Sequence, residues 1–353
     1  MTQTGMTSPQ LQRWPLPSLL IAMATLLLVL ALLSLATGPL GLGFAESLQA
    51  LLPDSPLPAH LQLVVQQIRL PRTLLCITVG AILGLCGAVM QGLFRNPLAD
   101  PGIIGVSGGA ALGAALAIVL LAPLSMVWQQ RLGIGLLPLF AFLGGALTTT
   151  LVYLLGTRGG RTSVTVMLLA GVAVTALSGA AIGLLTYLAD DQMLRDLSLW
   201  QMGSLAAGKP RDILLSAAAL FGLLIFFMRD AGALNALLLG EPEARHLGIA
   251  VQPLKRRLIL LTAAGVGVAV STAGLIGFIG LVVPHLVRLI AGPNHHRLLP
   301  LSALLGATLL LAADMLARIV LAPAELPVGI ITALLGAPFF LWQLIRHRHS
   351  ALE

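Results

Sequence analysis

Long runs of apolar residues, separated by short polar breaks, dominate the chain. The runs fall at Pro15–Ala36, Ile68–Leu93, Gly108–Pro123, Leu137–Gly156, Ser163–Leu188, Ile213–Met228, Leu258–Ile290, Leu301–Leu321 and Val328–Ile345. Most match the roughly 20 residues that a helix needs to cross a hydrocarbon layer. Leu258–Ile290 is too long for one crossing. Lys255, Arg256 and Arg257 precede it, and Arg288, His295, His296 and Arg297 close it. Basic flanks mark the cytoplasmic side, so both ends lie inside and the run must double back near Ser271–Gly274, where small residues tolerate a bend. The pattern predicts an all-α, polytopic membrane protein of ten transmembrane helices, both termini cytoplasmic, forming one domain over residues 1–353. The first run is too long for the apolar core of a signal peptide.

Composition agrees. Of 353 residues, 58% are hydrophobic and 9% charged, against roughly 25% charged in soluble domains. Mean hydropathy is +0.98. These values exclude a soluble enzyme and a disulfide scaffold. The net charge of +7 has no basic run interleaved with aromatics, so no nucleic-acid partner is expected. The larger share of Lys and Arg falls on the side of the termini. Arg69, Arg72, Arg131, Arg195, Lys209, Arg211 and Arg318 fall outside and ask for another explanation. Small-xxx-small pairs at Gly80/Gly84, Gly109/Gly113 and Gly179/Gly183 predict close helix contacts. Cys76 and Cys86 fit no metal or redox spacing and read as buried hydrophobes.

Candidate chemistry is sparse. Asp314 is the carboxylate clearly inside a span, and Arg318 follows at i+4, the spacing of an intrahelical ion pair. A proton-coupled secondary transporter would need such a carboxylate unpaired. His285 reads as a helix-end residue more than as a haem or metal ligand; no metal site is expected. Gly203 to Lys209 imitates a phosphate-binding loop, but Pro210 stands where its magnesium-binding hydroxyl belongs. No catalytic pair is present, so the chain reads as a transport subunit, not an enzyme, with no cofactor. The loop 230–257 is more informative. Asp230 is expected to cap a short helix through Leu239, broken by Gly240. Glu241, Pro242 and Glu243 suit the first turn of a second short helix, closed by His246 and Leu247 before Gly248.

With those residues placed, several segments resemble the FecCD family, the permease subunits of type II ABC importers for iron chelates, haem and cobalamin. They are RLPRTLL (Arg69–Leu75), GAVMQGLFRNPLADPGIIGVSGGA (Gly87–Ala110), LGEPEARHLG (Leu239–Gly248), GFIGLVVPHLVRL (Gly277–Leu289) and ELPVGIITALLGAPFF (Glu325–Phe340). The resemblance spans nearly the whole chain and is nearest to the haemin branch, with siderophore and cobalamin permeases as alternatives. It implies a homodimer of ten-helix subunits in the bacterial inner membrane, working with a cytoplasmic ABC ATPase dimer and a periplasmic substrate-binding protein. By resemblance, Arg69, Arg72 and Arg318 dock the binding protein, the pairing with Asp314 being a rival claim on Arg318. Gly240, Glu241, Ala244, Arg245 and Gly248 contact the ATPase, and Thr175, Ser178 and Gly179 are candidates to line the path at the dimer axis.

Overall fold

In hydrocarbon no water satisfies backbone N–H and C=O groups, so each crossing segment must bond them internally, as a helix does. The computed structural model describes residues 15–38, 41–52, 55–121, 135–158, 161–206 and 208–350. Arg13, Arg131 and the Pro123 end of the third run lie outside the described residues. Helix α1 is Leu16–Ala36 and α2 is Phe44–Gln49. Helix α3, Ala59–Leu63, passes through a π-helical turn, Val64–Arg69, into α4, Leu70–Phe94. After a 3-10 turn at Pro101–Ile104 come α5, Val106–Val119, and α6, Leu136–Gly156. An antiparallel two-residue hairpin sets Thr157 opposite Thr162 and Arg158 opposite Arg161. Then follow α7 (Val164–Leu188), α8 (Asp191–Gln201), α9 (Pro210–Leu239), α10 (Glu241–His246) and α11 (Val251–Ala273). The last three are α12 (Ile279–Ala291), α13 (His295–Ile319) and α14 (Val328–Ser350).

Seven helices among the described residues are long and apolar enough to cross a membrane: α1, the continuous α3–α4, α6, α7, α9, α11 and α13. Helices α5, α12 and the Val328–Gln343 part of α14 are apolar but shorter. Helix α4 occupies the centre, packed against α1, α9, α11, α12 and α13. Its glycines explain how. A Cβ on Gly80 or Gly84 would strike the Gly306 or Ser302 carbonyl of α13, so these backbones touch. Gly109 and Gly113 similarly seat α5 on α6. Gly179 and Gly183 face open space, so the third predicted pair packs against nothing in this chain.

Two expectations need correction. Residues 39–67, whose polar and proline residues between the first two apolar runs read as a loop, carry α2 and then helix from Ala59 onward, because Pro58 starts a turn and nothing breaks the helix before α4. Residues 230–239 are not a separate short helix but the last turns of α9. No breaker precedes them, and the Asp230 carboxylate bonds Arg257 instead of capping. Only Gly240 stops the helix. The doubling back of Leu258–Ile290 occurs where the bend was expected. Helix α11 ends at Ala273, and Gly274, at φ +71°, leads into the break before α12. There the chain after α8 is pinned to the turn: Ser204 N–H donates to the Ala273 carbonyl at 2.8 Å.

Candidate functional site

The two regions singled out by sequence lie at opposite ends of the bundle. At one end α1 stops and α4 starts. The C-terminal carbonyls of a helix lack internal partners, and here arginines supply them. Arg69 Nη1 donates to the Leu35 carbonyl at 2.7 Å. Arg318 Nη1 donates to the Ser34 and Thr37 carbonyls, each at 3.1 Å, and Nη2 to Ser34 Oγ at 2.6 Å. Ser34 Oγ in turn lies 2.8 Å from Thr73 Oγ1 of α4. Two guanidiniums thus tie α1 to α4 and α13.

Asp314 sits beneath this tie with no solvent exposure. Arg318 Nη2 reaches its Oδ2 at 2.7 Å, and Arg72 Nη2 reaches its Oδ1 at 2.9 Å. Arg72 Nη1 also pairs with Glu325 Oε2 at 2.5 Å. A charge taken out of water must be paired to persist, and Asp314 is paired twice. The cluster holds three guanidiniums and two carboxylates, and Arg69 Nη2 has no hydrogen-bond partner among the described residues. It therefore keeps one positive charge in excess. Arg69, Arg72 and Arg318 are 4%, 4% and 3% exposed, and the half-open Glu325 stands at the rim. The intrahelical pairing of Arg318 is what the structure shows.

At the other end Gly240, with φ +129° and ψ 158°, separates α9 from α10. Few residues other than glycine hold that conformation. The buried Ala244 anchors one face of α10. Lys255, itself 2% exposed, donates to Glu241 Oε1 at 2.5 Å and to the Thr162 carbonyl at 3.4 Å. Thr162 N–H donates to Gln252 Oε1 at 3.0 Å, which joins the hairpin to α11. Arg257 Nε donates to Asp230 Oδ2 at 2.8 Å, bracing α9 against α11. Arg245 is exposed and only loosely paired with Glu241, at 3.4 Å. Leu239 and Leu247, on either side of α10, are 67% and 63% exposed. Gly248, at φ +81°, closes the segment.

Of the path candidates on α7, Thr175 and Gly179 are exposed, whereas Ser178 is buried. His285 lies within α12, where Gln343 Nε2 of α14 donates to its Nδ1 at 3.0 Å.

Sequence reasoning missed Glu325 and Lys255 as site residues. Lys255 was legible: Val251, Leu254, Lys255, Leu258 and Ile259 share one buried face of α11 at helical spacing. Glu325 lies more than 250 positions from Arg72, and no local spacing reveals that pairing.

The sequence profile of the FecCD transport family matches residues 26–346. The chain belongs to that family. It is 46% identical to the hemin transport system permease protein HmuU of Yersinia pestis over 92% of this chain and 94% of that protein. The vitamin B12 import system permease protein BtuC of Vibrio cholerae is 43% identical over 82% of this chain and 85% of its own length. A solved inward-facing conformation of a metal-chelate type ABC transporter superposes with a TM-score of 0.80 at 34% identity, covering 94% of this chain and 99% of that one. FecCD proteins are multi-pass permeases of type II ABC importers and work with ABC ATPases and substrate-binding proteins, so this chain is such a permease.

Proposed function

We propose that the chain is the haem permease of its importer. The observation that carries the substrate is the similarity to the hemin permease across nearly the full length of both proteins. Cobalamin is the second reading, supported by the similarity to the vitamin B12 permease; an iron siderophore is a third cargo within the family's range. Two copies form the pathway, with α7 of each at the axis. The exposed Val172, Leu177 and Leu184 and the uncovered Gly179 and Gly183 of α7 support that contact. Thr175, Ser178 and Gly179 line the path, Ser178 only after α7 shifts.

All ten apolar helices cross the bacterial inner membrane, both termini are cytoplasmic, and the arginine end faces the periplasm. A loaded binding protein docks there on the region of Arg69, Arg72 and Arg318. Because these arginines are internally engaged, an acidic residue of the partner competes with the rim carboxylate Glu325 for Arg72. At the cytoplasmic end, Gly240, Glu241, Ala244, Arg245 and Gly248 place α10 and its flanking leucines against the ATPase. Closure of the ATPase dimer on ATP then shifts the population from one access state to the other. The energy comes from that partner, as suits a family of permease subunits that lack an ATPase site of their own. Proton-coupled transport is disfavoured by the double pairing of Asp314.

The test is uptake in proteoliposomes holding the permease, its ATPase and its binding protein, with haemin, cyanocobalamin and a ferric siderophore in separate arms. ATP-dependent accumulation of haemin alone is expected. Accumulation of cobalamin or the siderophore without haemin overturns the assignment. A phosphatase fused to the C-terminus should be inactive; an active fusion refutes the topology.

A further inference from the structure

The seam between α6 and α11 opens into a cavity at each end of the bundle. One, of about 610 Å³, is lined by Tyr153 of α6 and by Gln252, Arg256, Arg257, Leu260 and Leu261 of α11. The other, of about 810 Å³, includes Phe142, Val268 and Thr272 and is rimmed by Lys209 and Arg211. Phe142 and Tyr153 are about three turns apart on one face of α6, and Leu260 and Val268 are about two turns apart on α11. Both cavities therefore lie along the seam between α6 and α11.

The smaller cavity has an apolar floor and a cationic mouth. Arg257 is committed to Asp230, and the Gln252 side-chain Oε1 accepts from the Thr162 N–H. Arg256 is exposed and makes no ion pair or hydrogen bond among the described residues. From Arg256 to Gly274 helix α11 rises about 27 Å, close to the thickness of a hydrocarbon core of roughly 30 Å. Arg256 thus stands at the depth of lipid phosphates, beside a tyrosine of the kind that settles at this interface. Leu260, 41% exposed, points the groove into the acyl region.

We propose that this cavity binds an anionic phospholipid, its phosphate paired with Arg256 and one acyl chain lying over Leu260 and Leu261 towards Phe142. A small soluble anion would engage only the guanidinium and make no use of the leucine floor. A basic pocket between membrane helices is suited to an anionic headgroup. The lipid fills the groove between α6 and α11 and holds the hairpin end of α6 against the start of α11.

The test is native mass spectrometry of the full-length permease released from detergent after equilibration with phosphatidylglycerol or phosphatidylcholine. The wild-type chain should retain phosphatidylglycerol in preference. Arg256→Gln should lower that retention about fivefold, the worth of one basic residue near a charged headgroup. Arg256→Lys should restore most of it, and Arg95→Gln, the same charge loss outside the cavity, should leave it unchanged. Excess inorganic phosphate should not displace the lipid. Equal retention by wild type and Arg256→Gln, an equal loss in Arg95→Gln, no difference between the Gln and Lys variants, or displacement by inorganic phosphate would each overturn the proposal.

Discussion

Both ends of the bundle set cations against carboxylates, but they seal them differently. At the arginine end Arg72, Arg318 and Asp314 are at most 5% exposed at their side chains, and Asp314 serves two guanidiniums. At the α10 end two pairs join one buried partner to one open partner: Lys255 at 2% with Glu241 at 30%, and Asp230 at 6% with Arg257 at 47%. A sealed network cannot lose a member without leaving an uncompensated charge away from water. A half-open pair lets water take over one side when the pair parts. The first arrangement suits a fixed tie between helices, and the second suits a joint that exchanges partners.

That contrast can be broken most forcefully at Asp314. Asp314→Ala should destabilise the solubilised permease by about 3–5 kcal/mol, the usual cost of breaking a buried pair. A loss under about 1 kcal/mol in denaturant or thermal unfolding would show that the sealed cluster does not hold the fold. Next in size is Gly240→Ala, which forces a glycine-only backbone and should cost about 1–3 kcal/mol. Its effect should be confined to α10, seen as faster hydrogen exchange over residues 241–248 with α4 unchanged. Glu241→Gln should cost about 1–2 kcal/mol, because Lys255 keeps a neutral acceptor in place of a charge. If exchange in α13 rose as much as in α10, the two ends would not be independent. Arg245→Ala should change stability by less than about 0.5 kcal/mol, as expected of an exposed pair, yet lower coupled ATP hydrolysis; unchanged coupling would remove Arg245 from the ATPase contact. Finally, 1 M salt should speed exchange at Arg257 and spare Arg72, since it shortens the screening length to about 3 Å only where ions can enter.

Legibility differed between the two ends. Gly240, the acidic first turn and Gly248 are local signals, and α10 was predicted within a residue of its bounds. The Asp314–Arg318 pair was equally readable, being one helical turn apart. What failed at the α10 end was the extent of α9. An aspartate before an apolar stretch looks like a cap, and only the approach of Arg257 showed it to be a brace. At the arginine end the outside arginines read as docking residues for a partner. Their burial comes from α1 ending beside α4 and presenting bare carbonyls, a contact between segments that share no pattern.

The sequence by itself determined the solvent, the helices and most of their ends, because apolar run length, basic flanks and glycine act over a few residues and need no partner. It also carried the family, through motifs read in order along the chain. Tertiary structure alone decided which charges are sealed and which stay open. Burial depends on what other helices bring to the same place, and that placement makes an ordinary arginine either a structural tie in a low-dielectric interior or an exposed charge.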